Sequence, residues 1–425
     1  MSSGTTVVIL AAGKGTRMKS ELPKTLHEVC GRSMLGWVLD AAADLDPDRI
    51  VVVVGHGAEQ VEAAARAALP DRNLAFVLQE PQNGTGHALQ VAAPAIGDCE
   101  RVVVTYGDMP LLSGASLEAL VAAQKEAGAD DAVSLLTALV DDPFGYGRVI
   151  RASDDAFERI VEQKDASDVQ RLVNEVNLGV YCFSRGHLDG DLGRLTNDNA
   201  QGEYYITDLV GMAASDGRSV APLLLDDERE AQGVNDLAQL ADVRWQLQMR
   251  ILEEHMANGV RIMDPSTTFI DHGVTIGRGT EVLPCTVIRS GVTIGEDCEV
   301  GPFSHLRVGA ALDDRAAVGN FTEMKNSRLG PGSKAKHLSY LGDAEIGAKA
   351  NVGAGTIFAN YDGKAKHRSV VGDGAFLGSG TIVVAPNEVP SGAMTGAGAV
   401  LTRSASMGAG ETWAGLPARK LQPKD

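Results

Sequence analysis

At 425 residues the chain is long enough for two or three domains, each with its own core. Its 44% hydrophobic and 22% charged content is that of a globular protein, and a net charge of −18 argues against nucleic acid or an anionic membrane as partner. Five scattered cysteines without metal-ligand spacing, no basic stretch before the first apolar run and no apolar run of membrane length predict reduced thiols and a cytoplasmic protein, with anionic small ligands still open.

Short aliphatic runs at Val7 to Leu10, Val51 to Val54, Leu74 to Leu78, Val102 to Thr105 and Ala132 to Leu136 alternate with helical stretches such as Ala58 to Leu69 and Gly86 to Ile96. The alternation predicts a mainly parallel, doubly wound, Rossmann-like α/β domain over residues 1–235, with ligands at the carboxyl ends of its strands. After the first strand comes Leu10-Ala-Ala-Gly-Lys-Gly-Thr-Arg-Met18, then Leu22-Pro-Lys24. Gly13 and Gly15 let the backbone approach a phosphate chain, and Lys14, Arg17 and Lys24 bring countercharge. The segment is neither a P-loop nor a dinucleotide loop, and a glycine turn alone can be structural. Val102-Val-Val-Thr-Tyr-Gly-Asp108 ends a strand with a carboxylate, placed to hold Mg²⁺ or to cap a helix. Gly233-Val-Asn235 offers an amide oxygen as a second ligand. From Asp236 to Gly259, Leu237, Leu240, Val243, Leu247 and Ile251 make one apolar helical stripe, and Gly259 is a C-terminal stop. This helix, residues 236–259, spans roughly 33 Å and is either a linker or the terminal helix of the first domain.

From Ile270 the period changes to six. Ile270, Ile276, Val282, Ile288, Ile294, Val300, Leu306, Leu312, Val318 and Met324 are followed by Ile346, Val352 and Phe358, then Val371, Leu377, Val383 and Val389. Neither a helix nor an alternating strand repeats at six; a triangular coil of three short strands does, which predicts a hexapeptide parallel β-helix over residues 260–425, left-handed in this class. Small residues after the sixth position, among them Gly277, Gly295, Gly301, Gly319, Gly347, Gly353 and Gly378, suit corners where a side chain would clash or φ is positive. The rhythm slips around Leu329 to Leu341 and around Asn360 to Ser369, where extra residues are expected to loop out. The slips contain His337-Leu-Ser-Tyr340 and Asn360-Tyr-Asp-Gly-Lys-Ala-Lys366. By itself His337 is either a structural imidazole or a base.

The glycine turn with Met18 and Pro23-Lys24 resembles the signature of sugar-1-phosphate nucleotidyltransferases. With Asn199-Ala-Gln-Gly-Glu-Tyr-Tyr-Ile-Thr-Asp208 and Lys334-Ala-Lys-His-Leu-Ser-Tyr-Leu-Gly-Asp343, residues 5 to about 400 resemble the family of bifunctional N-acetylglucosamine-1-phosphate uridyltransferases/glucosamine-1-phosphate acetyltransferases. The resemblance implies an enzyme of cell-wall precursor synthesis, feeding peptidoglycan and lipopolysaccharide. It would acetylate glucosamine-1-phosphate from acetyl-CoA, then couple the product with UTP, using Mg²⁺, to give UDP-N-acetylglucosamine and pyrophosphate. For uridyl transfer it implies Arg17 and Lys24 as catalytic cations. Leu10, Ala11, Ala12, Gly13, Lys24, Gln79, Gly84, Thr85, Tyr106, Gly107 and Asp108 would hold the nucleotide, Gly147, Glu162 and Asn177 the sugar, and Asp108 with Asn235 the metal. For acetyl transfer it implies His337 as general base and a backbone N–H near Ala354 as oxyanion donor. Arg307, Lys325, Tyr340, Asn351 and Lys366 would hold the acceptor sugar phosphate, and Ala354, Asn360, Tyr361, Ser379 and Ala397 acetyl-CoA. A homotrimer is expected, with the 360–369 loop reaching a neighbour.

The C-terminus departs from that pattern. Glu411-Thr-Trp-Ala-Gly-Leu-Pro-Ala-Arg-Lys420 resembles the short closing tail of other hexapeptide acyltransferases, where this family has a longer tail with an acetyl-CoA-contacting Arg. Arg403, Arg419 and Lys420 are all open as replacements. Two rival readings are a single-activity nucleotidyltransferase with a regulatory or assembly β-helix, and a non-catalytic protein built on a decayed enzyme. The His337/Tyr340/Asn351/Lys366 set counts against the first, and intact Lys24, Asp108 and Asn235 against the second.

Overall fold

The computed structural model describes residues 4–128 and 132–422, so the outermost ends of the two expected domains lie outside the described residues. Two compact units divide between Gln246 and Leu247. In the first, strands β1 (Thr5–Leu10), β2 (Arg49–Val54), β3 (Leu74–Leu78), β4 (Arg101–Tyr106), β5 (Val133–Leu139), β6 (Gly147–Arg151), β7 (Phe157–Val161), β8 (Glu175–Ser184) and β9 (Val220–Leu224) form one sheet. Its main path runs β9-β5-β8-β4-β1-β2-β3. The β4, β1, β2 and β3 run is parallel, as is β9 with β5. All six residues of β1 are buried, because both faces of the sheet are covered. Val7 and Ile9 pack with helices α1 (Met34–Asp44), α2 (Ala58–Ala68) and α4 (Gly114–Gly128). Val8 and Leu10 pack on the other face with α3 (Thr85–Ile96), α5 (Arg185–Asp191) and α6 (Thr207–Ser215).

The periodic runs did not foreshadow β8. It lies antiparallel between β4 and β5 and also pairs with the β6–β7 hairpin. Its register shifts between Asn177 and Tyr181, where Gly179 adopts φ +77°. Such a bulge re-aims the side chains beside it.

Helix α7 (Leu237–Ala257) straddles the division between the units. Leu240, Val243, Leu247 and Ile251 are buried, whereas Leu237 at the first turn is 55% exposed and stands outside the stripe. The helix stops at Gly259 (φ +89°), whose N–H bonds the Met256 carbonyl at 3.0 Å.

The described residues of the second unit form a β-helix of three ladders with ten, eight and seven strands, parallel except for the hairpin of Thr412–Gly415 and Ala418–Lys420. The sixth-position aliphatics form its axial core; all are buried except Ile276, which is half-buried in the first coil. Glu281 faces Glu299, and Glu299 faces Ala317, each eighteen residues on. At Gly319 an added Cβ would meet the Lys336 carbonyl oxygen at 2.0 Å, so only glycine lets that coil stack on the next.

One slip differs from expectation. At Leu329 to Leu341 no residue is added: Ala317 faces Lys334 and Tyr340 faces Ile357, each only seventeen residues on. The lost residue comes from the corner between the second and third ladders, where Asn326 and Asp343 take positive φ in successive coils. In the next coil that same corner carries the long loop, and Asn351 faces Phe376, twenty-five residues on. Asp343 ties the corner together, accepting from Asn326 Nδ2 and Asn360 Nδ2, both at 2.5 Å.

Of the five cysteines, all without disulfides, Cys30, Cys182 and Cys298 are buried while Cys99 and Cys285 are half-buried. No described helix is long and apolar enough to cross a membrane.

Candidate active sites

In the first unit a cavity of about 290 Å³ opens at the carboxyl ends of β1 and β4. Its lining includes Leu10, Ala11, Ala12, Gly13, Lys24 and Asp108. Gly15 takes φ +59° and lies so close to Lys24 that a Cβ would meet the lysine's own at 2.5 Å, whereas a Cβ at Gly13 would meet nothing within 4 Å. The turn thus folds against Lys24 and leaves room above Gly13 for a ligand. Lys24 Nζ is ion-paired with Asp108 Oδ2 and donates to Asn235 Oδ1 at 3.0 Å; Arg17 Nη2 donates to the same amide oxygen at 2.9 Å. Asn235 reaches this point because the Val234 N–H bonds the Asp108 carbonyl at 2.9 Å. Asp108 and Asn235 therefore present two oxygens to one cationic point. That donor set suits a hard divalent cation that completes its shell with water and substrate phosphates. Lys14 is exposed and lines a neighbouring depression with His56, apart from the Lys24 cavity.

Gln79 is buried and donates to the Gly84 carbonyl at 2.9 Å, which fixes the loop entering α3. The 199–208 segment braces the same loop: Gly86 N bonds Tyr204 O at 2.7 Å and Ile206 N bonds Thr85 Oγ1 at 3.1 Å. Gly107 sits under the cavity floor, where a Cβ would crowd Thr25 and Ala11. Tyr106 packs over Gly179 and lines both this cavity and an adjoining one of about 470 Å³ that holds Arg17, Asp108, Tyr146 and Asn235. Burial, then the Glu162 charge, pushes the Tyr106 phenol well above its ordinary range, so it is a neutral donor.

Gly147 pairs with Asn177, and its Cβ position lies 3.5 Å from the Glu162 carboxylate. Asn177 donates to Tyr181 Oη at 2.7 Å and accepts from Gly179 N at 3.2 Å. Burial raises the Glu162 carboxyl, and a hydrogen bond from Thr207 partly offsets it. Thr25, Gln82, Glu203 and Tyr146 also line the two cavities. Sequence reading assigned none of them a site role, although Glu203 lies within the 199–208 segment and Thr25 and Tyr146 directly neighbour Lys24 and Gly147.

In the second unit His337 is exposed, and its Nδ1 lies 3.1 Å from Asn320 Oδ1. In the tautomer that donates Nδ1–H to this amide oxygen, Nε2 is left as the acceptor. Asn320, one coil earlier and paired with His337, carried no motif signal. Lys325, Lys366 and Arg307 gather at the shortened corner. Lys366 first and Arg307 after it hold the Lys325 ammonium below its ordinary range, a crowding that a bound phosphate would relieve. Arg307 is also bonded to Glu323 at 2.7 Å.

Ala354, Ser379 and Ala397 stack at one corner of consecutive coils, since Gly380 N bonds Ala354 O and Gly398 N bonds Ser379 O. Asn360 is buried, while Tyr361 is exposed and bridges Lys366 across the long loop. Tyr340 lies on the second ladder, facing Glu323 and Ile357; Asn351 lies on the first, facing Lys334 and Phe376. One chain therefore places Asn351 and Tyr340 on different faces of the prism.

Of the three C-terminal cations, Arg403 bonds the Ala385 carbonyl at 2.7 Å and Asp362 of the long loop at 3.3 Å. Arg419 bonds its neighbour's carbonyl and Lys420 pairs with Glu411.

Residues 7–176 match the MobA-like NTP transferase domain, and residues 273–308 match the bacterial transferase hexapeptide model of six repeats. "Bifunctional protein GlmU" of Thermobifida fusca is 46% identical over 98% of this chain and 93% of its own length. The proteins of that name from Alkalilimnicola ehrlichii (47% identical, 95% of this chain, 93% of the relative) and Acinetobacter baylyi (42%, 94% of each) are also similar along nearly their whole length.

Proposed function

The chain belongs to the GlmU family of bifunctional transferases, joining a nucleotidyltransferase to a hexapeptide acetyltransferase, and from that premise we propose which residues carry each step. In the first unit, UTP lies along the Gly13–Gly15 turn with its base against Gln79 and the Gly84–Thr85 loop. N-acetylglucosamine-1-phosphate occupies the side of Gly147, Glu162 and Asn177. Its phosphate oxygen attacks the α-phosphorus in line and pyrophosphate leaves, while Lys24 and Arg17 neutralise developing charge. Mg²⁺, held by Asp108 and Asn235, would clamp the phosphates and offset their charge. The observation that supports this reading most is the meeting of Lys24 and Arg17 with the Asp108 and Asn235 oxygens at the strand tips.

In the second unit, the glucosamine-1-phosphate amine attacks the thioester carbonyl of acetyl-CoA, His337 Nε2 takes its proton, and the C–S bond breaks to leave the amide and release coenzyme A as its thiol. Arg307, Lys325 and Lys366 hold the sugar phosphate, and a backbone N–H near Ala354 meets the oxyanion. Arg403, tied through Asp362 to the loop that bears Asn360 and Tyr361, holds that loop beside acetyl-CoA. The separation of Asn351 from Tyr340 supports a cyclic homotrimer in which a neighbour's face completes each acetyl-transfer site. Light scattering should give three times the chain mass; a fully active monomer at micromolar concentration would refute the shared site. A cytoplasmic enzyme feeding cell-wall precursors fits these substrates. A coupled assay with glucosamine-1-phosphate, acetyl-CoA, UTP and Mg²⁺ should release UDP-N-acetylglucosamine and pyrophosphate. Pyrophosphate formed only from ready-made N-acetylglucosamine-1-phosphate would reduce the second unit to an assembly module.

A further inference from the structure

Arg148 is the largest fully buried side chain among the described residues, 1% exposed, and the steps above leave it without a task. It sits on β6 between β8 and β7, facing Val176 on one side and Val161 on the other. Its guanidinium makes no ion pair among the described residues and its buried Nε has no hydrogen-bond partner there, while the Asp142 and Glu162 charges partly offset its own without bonding to it. Burying a cation that is only partly compensated, with an unpaired N–H, is costly, so a stability role alone is a poor reason to place one here. Its remaining bonds point to the site. Nη1 donates to the Tyr146 carbonyl, and Nη2 donates to Gln163 Oε1 at 2.7 Å. The same Gln163 oxygen accepts from the Gly145 N–H at 3.2 Å. Two loops are thereby joined. Residues 143–147 carry Tyr146 into the cavity of Asp108 and Asn235 and bring Gly147 to the strand pair with Asn177. Residues 162–164 carry Glu162, 3.5 Å from the Gly147 Cβ position.

We propose that Arg148 and Gln163 form a positioning clamp for the sugar of N-acetylglucosamine-1-phosphate, fixing the Tyr146–Gly147 loop against the Glu162 turn so that both meet the sugar in one geometry. The inference rests on the sugar subsite assigned above. The clamp touches neither the glycine-rich turn nor Lys24, so it serves one substrate and not the other. A planar guanidinium suits the task because its two terminal nitrogens reach two acceptors at a fixed separation, which a lysine ammonium does not reproduce.

Steady-state uridyl transfer with the full-length protein tests this in Arg148→Met, Arg148→Lys and Gln163→Ala, with Glu162→Ala as reference. Arg148→Met should raise KM for N-acetylglucosamine-1-phosphate by about 10-fold or more, with KM for UTP and the melting temperature near wild type. Arg148→Lys should recover little of the loss. Should Arg148→Met fail to fold, Gln163→Ala, at a half-buried position, should show the same selective rise to a smaller degree. Adding Gln163→Ala to Arg148→Met should cost little more, because the two act as a unit. If both KM values, kcat and melting temperature move together, or Gln163→Ala leaves the sugar KM unchanged while Glu162→Ala raises it, the clamp is refuted and the subsite stands. If Glu162→Ala also leaves that KM unchanged, the subsite itself is misplaced.

Discussion

The two units gather cations with opposite geometries. In the α/β unit, strands of one sheet end side by side, so Lys24, Asp108 and Asn235 converge within a single chain although more than two hundred residues separate the first from the last. In the β-helix each coil stacks on its predecessor, so residues eighteen apart meet, while residues on different ladders face different directions. Lys325 and Lys366 meet because both belong to the corner that is shortened twice and then extended. Asn351 and Tyr340 do not meet. An open sheet brings its residues together at its edge within one chain; a prism spreads them over separate faces, and on the proposed reading a second copy joins them.

That contrast is broken or sharpened most strongly by removing one head at a time. His337→Ala should lower acetyl transfer by about 10² to 10⁴-fold, the usual worth of a positioned base. Its exposed side chain keeps the fold out of the result, and uridyl transfer from N-acetylglucosamine-1-phosphate should stay near wild type. Asp108→Ala should do the reverse. EDTA should stop pyrophosphate release and spare acetyl transfer, since the second site gathers Arg307, Lys325 and Lys366 rather than metal donors. A folded variant of either residue that loses both activities would show that the two sites are one.

The fold was legible because both units write their periodicity into the chain: the covered strands read as continuous aliphatic runs, the prism as a sixfold rhythm. The missed features have physical causes. Strand β8 is interrupted by the Gly179 bulge, so its apolar pattern changes face midway. The slip at Leu329 was read as added residues because a phase change in a period-six pattern cannot distinguish a residue lost from residues gained; only the seventeen-residue register decides. Lys24, Asp108 and Asn235, which meet at the strand tips, stand in segments that could be read from the chain, whereas Asn320 and Gln163 only reach another side chain and leave no spacing to read.

A core deletion probes the second difference, a two-sided core against an axial column. Phe358 is fully buried in the coil that carries the long loop. Phe358→Ala should cost about 3–5 kcal/mol by urea unfolding of the β-helix. In a stack each coil contacts only its neighbours, so the loss should fall on that region and on acetyl transfer. Uridyl transfer that fell in proportion would mean the two units share one cooperative transition.

The smallest expected effect concerns the hairpin that follows the last coil. The Glu411 carboxylate accepts from Lys420 Nζ at 2.6 Å, Gly408 N at 2.8 Å and Trp413 Nε1 at 2.9 Å. Lys420 above all, then the Gly408 N–H and the Trp413 indole, hold its carboxyl down at about 2, below the ordinary 4.5. A carboxyl lowered on folding adds stability that is complete above its unfolded value and is lost as pH falls toward the folded one. The hairpin of Thr412–Gly415 and Ala418–Lys420 should therefore be indifferent to pH from 7 to 5, then loosen between about 4.5 and 2. The group is solvent-facing, so the effect should be local and weaker in salt. Trp413 reports it directly: emission of the wild type minus that of Trp413→Phe should shift red across that window. Glu411→Gln keeps the shape but removes the charge, and should flatten the transition. If Glu411→Gln shifts over the same pH range as wild type, the carboxylate is not what fastens the end of the β-helix.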